Sequence, residues 1–280
     1  MVSGKLVFMN NSKSSDIAMR WEKYRYANSN QPSVRENELK QVFELIHAES
    51  GENIWEVGTG NGYLTFPLVE AVGETGEIVT TDVNEGNIEE VRKKSKAAGI
   101  KNIQSVFLPV EKPLLGAEYE NAFDGVVSIA TLHHFDDRSK KTGETGRIAA
   151  LTSFFKTLRS GGRLVVADVA HGTISQKYFD AVDNPMYCFP LGHPHDFFST
   201  DRLSEICKKI GFIDVSVIIK RVPWRFTGIE EAKNFIHTIH NSHCSPEESF
   251  ELAQKYLGLN NRDGMYELGW ELFFLKAKKP

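Results

Sequence analysis

The sequence predicts an α/β fold: one mostly parallel sheet of seven strands with helices on both faces. Three observations predict it. An apolar run, Asn53–Val57, breaks into glycines at alternate positions (Gly58, Gly60, Gly62) and then enters a helical pattern. A second, β-branched run, Gly76–Val83, closes on an acid, Asp82, 20 residues past Gly62. Short strand-like runs then continue to alternate with amphipathic stretches along the chain, the pattern that builds doubly wound sheets.

Taken in order, residues 14–48 read as two helical segments broken near Gln31-Pro32. The first carries Trp21, Tyr24 and Tyr26. The second, Val34–Ala48, sets Leu39, Val42, Phe43 and Ile46 on one face. After the first two strands, residues 84–98 form a helix with Asn84 as N-cap and Gly99 as its stop. A third strand runs from Ile103 to Leu108 and a fourth from Phe123 to Ile129. A helix, Thr145–Leu158, and the turn Ser160-Gly161-Gly162 lead into a fifth, Arg163–Val169. The next helix covers 200–210, capped by Thr200 and stopped by Gly211. Ile213–Val222 is the sixth strand, and Leu268–Lys278 is a seventh that pairs with it. Two helical stretches, Glu230–His240 and Pro246–Leu257, are inserted between those last strands. They serve either as a packing appendage or dimer contact, or as a substrate lid.

Composition narrows the function. The chain has 280 residues, 41% of them apolar, with a formal charge of −4 and a sequence pI near 6.2, so no global basic field invites nucleic acid. The clusters Arg92–Lys96 and Lys276–Lys279 are short and read as solvated faces. Cys188, Cys207 and Cys244 are odd in number and share no C-x-x-C spacing, which fits a reducing, cytoplasmic compartment and no zinc site. Leu6–Met9 is too short for a signal-peptide core, and no run is long enough to span a bilayer.

The glycine turn specifies a ligand. A strand feeding such a turn and then a helix holds nucleotide-like ligands at the carboxyl edge of an open sheet. The spacing is G-x-G-x-G, with Tyr63 where the dinucleotide fingerprint G-x-G-x-x-G has its third glycine. Glu56, just before the turn, would repel a pyrophosphate but suits a ribose or a cationic amino-acid moiety. These features argue against NAD. At the tip of the second strand, the Asp82 carboxylate can accept both hydroxyls of a ribose.

Four blocks now stand in order: Trp55–Gly62, Val79–Val83, Phe123–Phe135 and Leu158–Asp168. Together they resemble the class I S-adenosylmethionine-dependent methyltransferases, and in particular the small-molecule group that includes the ubiquinone and menaquinone biosynthetic enzymes. The likeness spans residues 54–168 and continues weakly to Gly211. It implies a Rossmann-like fold and S-adenosyl-L-methionine as cofactor. Gly58, Gly60 and Gly62 would line its methionine and ribose parts, Glu56 would lie under its amino group, and Asp82 would hold its ribose. Tyr24, Thr59, Val83 and Ser128 join this cofactor-facing set. The family often has an acid after its third strand, facing the adenine. Here Pro109 holds that position and offers neither an N–H nor a carboxylate, so Val110 and Glu111 are expected to take over the adenine edge. The chain is expected to form one domain over 1–280: an N-terminal helical lid at 1–50, a cofactor core at 51–222, the insertion at 223–264, which is this chain's own feature where family members often connect the strands directly, and the last strand at 265–280.

Methyl transfer to a hydroxyl needs an aligned nucleophile and a base for its proton, and histidine titrates near the working pH. Three histidine sets fall in loops at the carboxyl edge: His133 and His134, His171, and the pair in Leu191-Gly-His-Pro-His-Asp196. The expected base is His193 or His195, with His133 as the fallback. The His-Pro-His-Asp string, joined by His171, could be read as a metal set, but it lacks a firm spacing signature and no metal is assigned. Tyr178, Phe179, Tyr187, Phe189, Phe197, Phe198, Trp224 and Phe226 crowd the same loops and favour an acceptor that is partly apolar or aromatic. The expected function is therefore methyl transfer to a small molecule, with a possible homodimer. The alternatives are a cofactor-binding chain without transfer, such as a cyclase, and, more weakly, a nucleic-acid or protein methyltransferase.

Overall fold

A computed structural model of the chain describes residues 27, 31–109, 112–135, 144–184, 186–187, 197–240 and 242–280. Tyr24, Val110, Glu111, His193 and His195, with the proposed N-terminal lid helix, lie outside the described residues.

A 3-10 turn at Pro32–Arg35 leads into α1, Glu36–Ile46. The helix thus begins later than the periodicity predicts, because Pro32 opens a tighter first turn. β1 (Asn53–Val57), α2 (Thr65–Val72), β2 (Glu77–Asp82), α3 (Glu85–Ala97) and β3 (Ile103–Phe107) follow within a residue or two of expectation. The Asn84 side chain does cap α3, accepting from the Asn87 N–H at 3.3 Å. β4 (Phe123–Ile129) is buried throughout, as a strand covered on both faces must be. α4 spans Glu144–Thr157.

β5 runs from Leu158 to Asp168, beginning earlier than predicted. Gly161 and Gly162 do not close a free turn; they exchange backbone bonds with Lys279 (2.9 and 3.0 Å) and are taken into the sheet as an irregularity of register. α5 (Ile174–Val182) corrects the reading of Tyr178 and Phe179 as loop residues, for both lie on this helix. Thr173 caps it by accepting from Gln176 N. α6 (Thr200–Ile210) is capped by Ser199 instead of Thr200: the Ser199 hydroxyl accepts from Arg202 N, and Thr200 is already helical.

β6 is Ile213–Arg221. Beyond it come β7 (Trp224–Phe226), α7 (Ile229–Ile239), α8 (Pro246–Leu257), β8 (Leu259–Arg262), β9 (Met265–Leu268) and β10 (Glu271–Lys278). The predicted seventh strand is β10, which pairs with β6 as expected but begins three residues later, because Leu268 instead ends β9. Trp224 and Phe226, read as loop residues past the sixth strand, lie on β7.

The main sheet has the order β3-β2-β1-β4-β5-β10-β6. The first five strands are parallel, and β10 lies antiparallel between β5 and β6. This is the seven-stranded, mostly parallel sheet expected. A second sheet, β7-β9-β8, belongs to the insertion.

Two apolar layers enclose the main sheet. On one face Ile54, Ile78, Val127, Val165 and Phe274 meet Val42 and Ile46 of α1 and Leu68 and Val72 of α2. On the other, Trp55, Val79, Val126, Val166 and Phe273 meet Ala150, Leu151 and Phe154 of α4 and Leu203 and Ile206 of α6. The insertion extends the first layer through Phe235, Ile236, Phe250 and Leu257, each contributing roughly 1.5–3 kcal/mol on burial. Among the described residues no helix is long and apolar enough to cross a membrane.

Candidate active site

β1 and β4 are neighbours in the sheet but not in the chain, and α/β sheets open a crevice at such a reversal of strand order. The glycine turn leaves β1 at this point. Its backbone is pinned from below: Gly58 N and Thr59 N both donate to Thr81 O, at 2.8 and 3.0 Å. The three glycines have different tasks. A Cβ on Gly58 would come within 2.2 Å of Thr131 Oγ1, and one on Gly62 within 2.5 Å of Phe66, so these two serve packing. A Cβ on Gly60 (φ +53°) would meet nothing within 4 Å. Gly60 is thus the place where the turn itself faces open space, with a backbone conformation that side chains disfavour.

Asp82, at the end of β2, closes one side of the turn. Its Oδ2 accepts from Gly60 N and Asn87 Nδ2, both at 3.0 Å, and its Oδ1 accepts from Asn84 N at 2.8 Å. Burial pushes its carboxyl above the ordinary range, against the pull of these three donors and of the Val83 backbone N–H. A carboxylate offers about four acceptor positions, so an outside donor must share or displace one of these partners. Val83 follows on the surface, 38% exposed.

Glu56 lies beneath the turn, 1% exposed. The hydroxyls of Thr65 and Thr80 each donate to its Oε2 at 2.5 Å. Thr59 joins through its own 2.8 Å bond to Thr65. Burial raises the Glu56 carboxyl from 4.5 to about 8, outweighing the threonine hydrogen bonds, and the nearby Asp82 adds to the rise. Such a group suits a cationic neighbour, which would restore its charge. Ser128 is fully buried, and its hydroxyl donates to Val57 O at 3.1 Å, bracing β4 against β1.

At the end of β4 the chain takes a sharp path. Ala130 adopts φ +51°, unusual without glycine, while its N–H stays bonded to Ala167 O. Thr131 then packs on Gly58, and a 3-10 turn, Leu132–His134, presents His133. Asp168, the last residue of β5, accepts from His133 Nδ1 at 2.7 Å, His133 N at 2.9 Å and Val169 N at 2.8 Å. This pair is buried. The rings of His134, Phe197 and Phe179 lie 4.0, 5.8 and 6.3 Å from the imidazole of His133.

The structure thus gathers Glu56, Gly58, Thr59, Gly60, Gly62, Asp82, Val83, Ser128 and His133 at one edge of the sheet. The Asp168 partner of His133, the threonines under Glu56 and the strained Ala130 went unrecognised in the sequence. Asp168 carried a usable signal, an acid ending a strand as Asp82 does. A groove of about 430 Å³ lined by Arg92, Lys96, Ile100, Lys101 and Ser105 lies elsewhere, where α3 ends and β3 begins. It sits at the opposite end of the strands from this chemistry.

A family model described as a methyltransferase domain matches residues 48–190. The chain belongs to this methyltransferase domain family. The chain is 27% identical over 125 residues to the aklanonic acid methyltransferase of Streptomyces sp. strain C5, covering 45% of this chain and 51% of that protein. It is 26% identical over 206 residues to the ubiquinone/menaquinone biosynthesis C-methyltransferase of Vibrio vulnificus, covering 73% of this chain and 63% of the relative. The matches therefore span about half to just under two thirds of these relatives' length. A solved structure of Haemonchus contortus phosphoethanolamine N-methyltransferase 2 in complex with S-adenosyl-L-methionine shares the fold. Its TM-score is 0.63 at 16% identity, covering 99% of this chain and 61% of that one. The chain carries the fold of an S-adenosylmethionine-dependent methyltransferase. Open space at Gly60, a buried carboxyl suited to an ammonium and an acid at the β2 tip fit that cofactor.

Proposed function

We propose that this chain transfers the methyl group of S-adenosylmethionine to a small, partly apolar or aromatic acceptor, with His133 as the base that receives the acceptor's proton. The observation that carries this reading is the His133–Asp168 pair at the carboxyl ends of β4 and β5, two residues beyond the Thr131 that packs on Gly58. When bound, the cofactor supplies an electrophilic methyl on a sulfonium. The chain's residues do the rest. Asp82 takes the ribose, exchanging present donors for its two hydroxyls. Glu56 takes the ammonium. Val110 and Glu111 are assigned the adenine edge, and Tyr24 the cover over it, with residues 1–50 as the lid.

The Asp168 carboxylate holds the proton of His133 on Nδ1, which fixes the tautomer in which Nε2 is the basic atom. The neighbouring Phe179 and Phe197 rings supply an apolar wall. His193 and His195 are the other candidates for the base. The free thiols of Cys207 and Cys244 accord with a reducing, cytoplasmic setting.

The test is transfer of label from methyl-labelled cofactor to small molecules of a cell extract, with wild type, His133→Ala and Asp168→Asn run together. Transfer by wild type that falls sharply in both variants supports the reading. Cofactor binding without any transfer would instead favour the cyclase or binding-protein alternative. Transfer that survives both substitutions moves the base to His193 or His195, or shows that none is needed.

A further inference from the structure

The two edges of the main sheet are treated differently. At the β3 edge, Arg92 reaches across from α3 and donates to Ser105 O at 2.8 Å, occupying one of the open backbone groups. At the β6 edge, among the described residues, no side chain is bonded to the outward backbone of Ile213–Ile219. Long, bare, apolar edges invite pairing and are usually guarded. β6 has nine residues, and Ile213, Ile218 and Ile219 are 47%, 43% and 47% exposed. Ile218 and Ile219 fall on opposite faces of the strand, since consecutive residues alternate, while an irregularity at Asp214 (φ +52°) sets Ile213 apart from that alternation. α6 covers Val215 and Val217 only in part, and α1 reaches as far as Lys220, through Gln41.

The charges along this edge are arranged in a self-complementary way. Asp214 stands near one end, its side chain 66% exposed beside Lys278, and Lys220 and Arg221 stand at the other. An antiparallel pairing of two identical strands centred on Val217 brings the Asp214 end of each copy to the Lys220–Arg221 end of the other. It also sets Val215 opposite Ile219 and Ser216 opposite Ile218. Cross-strand pairs of opposite charge and of β-branched side chains are the favourable kind, and a two-fold axis produces each of them twice.

We propose that β6 pairs edge to edge with β6 of a second copy of this chain, giving a dimer with one continuous sheet through both molecules. The proposal stands apart from the choice of acceptor or base. It is tested by sedimentation of the full chain. Wild type is expected at twice the 31.5 kDa chain mass. Asp214→Arg makes both ends of the strand positive, and Lys220→Glu with Arg221→Glu makes both negative, so each variant alone is expected as a monomer. An equimolar mixture of the two is expected to recover the dimer, which also shows that both are folded. Hydrogen exchange on wild type needs no variant: the amides of Val215–Ile219 that point away from β10 should lose protection on dilution. A wild type that stays monomeric at all concentrations overturns the proposal. So do variants that dimerise as wild type does, a mixture that stays monomeric, or β6 amides indifferent to concentration.

Discussion

Glu56→Gln removes a buried acid while keeping its shape, and the structure fixes what should follow. The wild-type carboxyl is enclosed and titrates at about 8, against 4.5 for an ordinary glutamate. Between those values the folded protein keeps a proton that the unfolded chain has lost. A raised folded value contributes stability that is fully present below 4.5 and is lost as pH rises through 8. The slope of unfolding free energy in that window is a little over 1 kcal/mol per pH unit, or about 5 kcal/mol across the whole of it. Glutamine has no such slope. Urea unfolding of both proteins without ligand, at several pH values from 5 to 9, should show the variant gaining on wild type until about pH 8 and then holding level. Cofactor binding should show the mirror image. If the cofactor's ammonium pairs with the ionised carboxylate, wild-type affinity rises with pH by up to about tenfold per unit below 8, while the variant's stays flat. Parallel stability profiles for the two proteins would refute the reasoning, since Glu56 would then be charged in the fold.

Other perturbations separate the roles assigned above. Asp82→Ala should weaken cofactor binding by roughly 2–4 kcal/mol, measured by calorimetry, and should loosen the turn because Gly60 N and Asn87 lose their acceptor. Gly60→Val should abolish binding while leaving a folded chain, since a side chain there meets open space; circular dichroism and calorimetry check the two halves. His133→Ala and Asp168→Asn should each lower kcat by about 10²–10⁴-fold with cofactor affinity intact, and unchanged turnover in both would remove the pair from the chemistry. Ser245→Ala breaks the capping box of α8, in which Ser245 and Glu248 satisfy each other's backbone N–H, and should cost about 1 kcal/mol in thermal unfolding without affecting cofactor binding.

The residues that announced the fold were those whose job is local. Alternate glycines after a strand, an acid at a strand tip and an asparagine before a helix each state their structure within a few positions. Signals of the same kind lay unread elsewhere. Thr173 and Gln176 stand at the spacing of a helix-capping pair, and they open α5. Asp263-Gly264, both at positive φ, is the two-residue hairpin turn that joins β8 to β9 with Arg262 opposite Met265. What no local pattern could supply was the partnership of distant residues. His133 and Asp168 are 35 positions apart and meet only because β4 and β5 are adjacent. The charge state of Glu56 is likewise a property of its enclosure, which the residue type does not record.

The place of β10 bears on how the molecule is made. It lies between β5 and β6, so β6 leaves the ribosome with no strand beside it to bond to. The half of the sheet beyond β5 then waits for residues 271–278, more than a hundred positions after Asp168. Contacts that distant in sequence form slowly, and the apolar edges of β5 and β6 stay open until the strand arrives. A nascent chain that stalls in the insertion would hold a finished cofactor turn beside an unfinished sheet. Loss of the last strand should therefore appear first as aggregation during synthesis, ahead of any defect in the chemistry.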